Sequence, residues 1–144
     1  MSSLNYKIDL KEYSGARFPE IDYFDGDFDL LQEEIDNFNS EIEWDAMWDV
    51  PTAKERLAKG WHFLVLKLEG KIRGWHWLEP EAKHTHNLYI NKNYRGKNWG
   101  YKINMSTIKI GEDIGLDFIL CRADDWNIPS IIGKEKVGYK LVSQ

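Results

Sequence analysis

Apolar and polar positions along the chain fall into two periodicities, and their order predicts a mixed α/β fold. Residues 5–10 alternate weakly and predict a first strand. Residues 28–38 place Leu30, Leu31, Ile35 and Phe38 near helical spacing, with acids on the opposite face and Asp27 as the N-cap. Residues 53–59 predict a short helix, capped by Thr52 and stopped by Gly60. Residues 61–68 and 71–78 alternate on either side of Glu69-Gly70 and predict a hairpin. A strand at 84–90 and a helix at 98–111 follow, then a short apolar strand at 117–122. A helix over 127–137 carries Pro129 in its first turn, and a last strand covers 139–142. The order β-α-α-β-β-β-α-β-α-β predicts a mixed sheet flanked by helices.

A chain of 144 residues predicts one domain, 1–144, with no repeat in it. Its single cysteine, Cys121, excludes an intrachain disulfide and reads as a buried small hydrophobe. Residues 1–15 carry no apolar leader segment, and no apolar run approaches the roughly 18 residues of a membrane span. The expected compartment is the cytoplasm, with no membrane partner.

The net charge of −5 hides a division. Residues 18–53 hold 12 acidic residues and no Lys or Arg, while the rest holds 19 basic against 12 acidic residues, a balance of +7. The acidic stretch reads either as solvated helix faces or as a surface that attracts a cationic ligand. A pI near 5.4 and the lack of a dense basic stripe argue against nucleic acid as a partner.

The segment LYINKNYRGKNWGY, 88–101, carries the most chemistry. A strand ends, a loop follows, and a helix begins amid two glycines. The first N–H groups of a helix have no internal partner and stand at the positive end of its dipole, an arrangement that binds phosphates. Arg95 and Lys97 add charge. The segment has neither the Lys-Ser/Thr ending of a Walker A loop nor the three-glycine dinucleotide fingerprint.

Arg95-Gly96-Lys97-Asn98-Trp99-Gly100 resembles the coenzyme A pyrophosphate loop of the GNAT acetyltransferase superfamily: Gln or Arg, two residues, Gly, one residue, then Gly or Ala. Arg95 and Gly100 match its ends. Asn98 stands in place of the middle glycine, and Asn tolerates left-handed backbone angles best among the other residues. Downstream, Asn127, Ser130, Lys134, Lys136, Gly138 and Tyr139 resemble a second element of that family, with Lys134 where many relatives have Tyr. The resemblance spans residues 61–141, leaving 1–60 as a variable acceptor-side part and 61–144 as the coenzyme A core.

The resemblance implies a GNAT fold, acetyl-CoA as co-substrate, and acetyl transfer to an amine. It implies cofactor contacts from Leu88, Tyr89, Ile90, Arg95, Gly96, Lys97, Asn98, Trp99, Gly100, Tyr101, Asn127 and Ser130, with the Leu88 backbone N–H as oxyanion donor. Many relatives carry a Glu base 11 residues before the loop, where this chain has His84; His86 shares the strand face. Either imidazole can accept an amine proton, and either can be a packing residue. Lys134 can protonate the departing thiolate or be an ordinary helix residue. Trp75 and Trp77 share a strand face and read as core or as a wall of the acceptor pocket. No metal is expected.

Relatives usually have two strands after the Gly-Tyr element, but only five residues follow Tyr139 here, which predicts an open sheet edge covered by a homodimer. The expected acceptor is a small amine, with a lean toward polyamines, aminoglycoside-like compounds or a basic peptide. The competing reading is a non-catalytic acyl-CoA sensor, motivated by the absent Glu and Tyr.

Overall fold

A computed structural model describes residues 3–41 and 48–143. Its elements are β1 (Ser3–Asp9), β2 (Ile21–Tyr23), α1 (Phe28–Glu41), α2 (Val50–Ala58), β3 (His62–Leu68), β4 (Lys71–Glu79), β5 (His84–Ile90), α3 (Trp99–Asp113), β6 (Phe118–Asp124), α4 (Ile128–Val137) and β7 (Lys140–Ser143). The seven strands form one sheet in the order β2-β3-β4-β5-β6-β1-β7. Only β5 and β6 run parallel; all other neighbours are antiparallel.

Two apolar clusters cover the two faces of the sheet. On one face Leu31, Ile35 and Ala53 of α1 and α2 meet Phe63, Val65, Trp75, Trp77 and Tyr89. On the other, Ile103, Ile108 and Ile110 of α3 and Val137 of α4 meet Leu64, Leu66, Leu78, Ile119 and Cys121. The alternation that predicted β3 and β4 is the same alternation that separates these faces.

Two expectations change. Strand β2 is added: three residues inside the acidic stretch give no periodic signal, and pairing with β3 alone defines it. Helix α2 starts earlier, because Asp49 rather than Thr52 caps it; the Asp49 carboxylate accepts from the Thr52 N–H at 2.9 Å and from its hydroxyl at 2.7 Å. The open edge expected after Tyr139 is β7 itself. Strand β1 pairs β6 on one side and β7 on the other, with Tyr6 and Ile8 buried beneath it, and β7 ends the sheet with Leu141 and Val142 exposed.

Candidate functional site

The site begins where β5 and β6 part. They share one ladder pair, His84 with Leu120, supported by the Leu120 N–H donating to the Lys83 carbonyl at 2.7 Å. Beyond it β5 continues to Ile90 and β6 to Asp124 without further pairing, which opens a gap in the middle of the sheet. On its other side β5 is bulged. Trp75 faces Tyr89 and Trp77 faces His86, so Asn87 and Leu88 together stand opposite His76. Asn87 takes a left-handed φ of 57°. The Arg56 guanidinium reaches from α2 to the Asn87 side-chain oxygen at 2.7 Å and fixes the bulge.

The loop leaving β5 is anchored at both ends. The Asn91 side chain accepts from the Asn93 N–H at 3.0 Å and donates to Glu34 at 2.8 Å. Glu34 is buried and also receives the Tyr89 hydroxyl at 2.8 Å and Arg73 at 3.0 Å. Burial, and after it the hydrogen bond to Glu34, raises the Tyr89 pKa well above the usual phenol range. Arg95 donates to the Ile90 carbonyl at 2.8 Å and pairs with Glu41 at 3.2 Å, so it braces the loop from within. Gly96 has a φ of 81° and Asn98 a φ of 66°, the left-handed angle its residue type tolerates.

No side chain caps α3 at Asn98, leaving the first-turn N–H groups of Trp99, Gly100 and Tyr101 without a side-chain partner there. A Cβ on Gly100 would meet nothing within 4 Å. Open space therefore lies beside Gly100 in this first turn. Lysines surround the free donors: Lys102 lies 4.5 Å from the Trp99 ring centroid, and Lys136 lies 4.7 Å from that of Tyr101 and donates to the Asn98 side chain at 3.3 Å. A helix dipole, free donors and cations converge on one open spot, which fits a pyrophosphate.

Two imidazoles lie on the α2 side of the gap, with ring centroids 4.9 Å apart. The His84 Nδ1 donates to the Thr85 carbonyl at 2.6 Å, and the His86 Nε2 donates to Glu79 at 3.0 Å. Burial lowers both pKa values; the Glu79 carboxylate opposes this at His86. On the α4 side, Lys134 is 7% exposed and donates to the Ser130 hydroxyl at 3.0 Å. Burial lowers its pKa, and its charge acts on His76, His84 and Cys121. Asn127 caps α4 by accepting from the Ser130 N–H at 3.4 Å, so Asn127, Ser130 and Lys134 form one chain of contacts.

No protein-family model and no curated protein matches the sequence. Solved structures do. A GNAT-family acetyltransferase from Colwellia psychrerythraea matches with a TM-score of 0.78 at 12% identity, over 97% of this chain and 52% of its own. The yncA protein of Salmonella typhimurium, solved with its cofactor acetyl-CoA, matches at 0.70 and 19% identity, over 86% of this chain and 80% of its own. A ribosomal-protein-alanine N-acetyltransferase from Brucella melitensis matches at 0.69 and 18% identity, over 83% of each chain. This chain has the GNAT fold. It spans 47%, 61% and 52% of three of the matching structures, about half their length.

Within the GNAT fold the candidate residues fall into two groups. Leu88 and the histidines lie along the gap, Lys134 faces it from α4, and residues 96–101 stand at the start of α3. Trp75 and Trp77 do not join them. Both have no exposed surface, and Trp77 stacks on Phe63 at 3.8 Å, so they form core beneath the histidines rather than a pocket wall. Trp61 is the aromatic beside the site, stacked on His86 at 4.8 Å. Sequence reasoning passed over Trp61, Arg56, Glu79, Lys102 and Lys136. All but Lys102, which lies over Trp99 within α3, act across elements, and no local spacing signals that; only Lys136 sat inside a recognised motif.

Proposed function

We propose that the chain transfers the acetyl group of acetyl-CoA to a primary amine by direct attack in a ternary complex. One observation carries the reading: β5 and β6 separate beyond His84 and Leu120, and the gap lies beside an uncapped α3 N-terminus ringed by cations. Acetyl-CoA supplies an acetyl group activated as a thioester. The backbone N–H groups of Trp99, Gly100 and Tyr101, with Lys97, Lys102 and Lys136, would hold its pyrophosphate. Asn127 and Ser130 would flank the pantetheine arm.

An alkylamine has a pKa near 10 and must lose a proton before it can attack. An imidazole on the α2 side accepts that proton. The Leu88 N–H, at the bulge, donates to the carbonyl oxygen as negative charge gathers there. Lys134 faces the same gap from α4, and its lowered pKa suits it to hand a proton to the departing sulfur. Acid and base thus come from opposite sides of the sheet.

Thermal unfolding with acetyl-CoA, against ATP and NAD as controls, tests the cofactor. A ligand at about 100 times its Kd adds roughly 2.7 kcal/mol, a shift of several degrees for a domain of this size. Gly100→Val places a side chain beside the free donors in space the fold leaves open, so it should abolish the shift without unfolding the protein. No shift in the native chain would refute the reading. Thiol release on adding an amine then separates catalysis from the competing role of an acyl-CoA sensor, which would show the shift without turnover.

A further inference from the structure

The transfer scheme does not choose between His84 and His86, and it leaves Glu79 without a role. Glu79 ends β4 opposite His84 in register, yet its carboxylate reaches His86. That bond fixes the His86 tautomer: Nε2 carries the hydrogen and Nδ1 keeps the lone pair. His84 is fixed as well, but by the neutral Thr85 carbonyl. The difference is charge. A carboxylate stabilises an imidazolium as it forms far better than a neutral carbonyl does.

The surroundings keep this arrangement in place and accessible. Trp61 stacks on the His86 ring with an interplanar angle of 22° and hinders its rotation away from Glu79. The His86 side chain is 26% exposed. Glu79 and Trp61, with Lys59, Pro80 and Glu81, line a cavity of about 230 Å³. The Glu79 side of the dyad therefore borders open space, and the partly exposed His86 ring remains within reach of solvent.

We propose that Glu79 is a positioning residue that makes His86, rather than His84, the proton acceptor of acetyl transfer. The proposal rests on the reading given under Proposed function. As the amine nitrogen bonds to the acetyl carbon and the carbon–sulfur bond breaks, the nitrogen's proton passes to Nδ1 of His86. Glu79 stays ionised and balances the new charge. The other groups around His86 act against that charge: Arg56 from α2 and His84 along β5. His76, opposite the bulge on β4, is buried and neutral, and Lys59 across the cavity is paired with Glu55.

The test compares the native chain, Glu79→Gln, His86→Gln and the double variant. Thiol release from acetyl-CoA is followed against pH, with benzylamine and spermidine as acceptor probes. Glu79→Gln should lower kcat by about 10- to 100-fold, less than the roughly 100- to 10,000-fold of a general base itself because the imidazole is still present, and leave the KM for acetyl-CoA unchanged. The rise of kcat/KM with pH should move to lower pH, because losing the carboxylate lowers the His86 pKa. In the His86→Gln background, Glu79→Gln should add nothing. An unmoved pH profile, or an equal loss in both backgrounds, overturns the proposal. The His86 Hε1 titration, read by NMR in the native chain and Glu79→Gln, needs no acceptor. A midpoint that falls supports the dyad, and one that stays put overturns it. If the native chain binds acetyl-CoA but releases no thiol with either amine, the transfer reading fails, and the NMR midpoint still decides whether Glu79 controls His86.

Discussion

Lys134 sits almost wholly inside the protein with one side-chain hydrogen bond, to Ser130. A buried ammonium so poorly paired costs stability, and an apolar side chain of similar length usually fits such a place at least as well. Lys134→Met should therefore raise stability by about 1–2 kcal/mol, visible in thermal unfolding, while slowing thiol release. Full turnover in that variant would exclude a proton from Lys134. His76 makes a second prediction. Its Nδ1 donates to the Thr107 hydroxyl at 2.8 Å, and burial pushes its pKa down to about 3, from 6.5 when exposed. Below pH 6.5 the unfolded chain takes up a proton that the folded chain refuses, so stability falls as pH drops, by about 1.4 kcal/mol per unit, until His76 itself protonates near 3. Thermal midpoints recorded against pH should show this slope, and His76→Gln should flatten it. Neither property was legible in the sequence. Lys134 and Lys136 lie two residues apart in one motif, yet packing buries the first and turns the second out toward Tyr101.

Among the elements, α3 and the loop before it carry the most function for the fewest residues. Asn98 holds a left-handed angle that a β-branched residue resists. Asn98→Val should cost about 1–3 kcal/mol in denaturant unfolding and weaken acetyl-CoA binding in calorimetry, whereas Asn98→Gly should keep both. How legible each element was depended on how local its cause is. The hairpin β3–β4, strand β5 and helix α4 lie within about two residues of their predicted bounds, because alternation and flanking Gly, Asn and Pro specify them. The loop was legible through its glycines and its place between strand and helix. The β5 bulge was not: Asn87-Leu88 holds no glycine, and only the ladder with β4 exposes the extra residue. The start of α2 shifted because Asp49, three residues before Thr52, stands at the true N-cap.

At the scale of the molecule, the acidic stretch is less a free surface than its composition implies. Asp25, Glu33, Glu34 and Glu41 pair with Lys67, Lys71, Arg73 and Arg95, so much of that charge binds the first helix to the sheet and the loop. The division of charge along the chain was legible; its partial cancellation in space was not. The sheet depends on its first strand in a similar way. Tyr6 is 2% exposed and packs between the pairings with β6 and β7. Tyr6→Ala should cost about 3–5 kcal/mol, measured by denaturant unfolding, although the residue lies one strand removed from the gap where chemistry is proposed.

Asn5 hydrogen-bonds Ser143 across 138 positions of sequence. During synthesis β1 thus precedes both of its neighbours: it can pair only once β6 has emerged, and on its other side only after β7. Until then Tyr6 and Ile8, buried in the finished sheet, stay exposed to water, and a chaperone that shields this short Tyr- and Ile-bearing segment would act there.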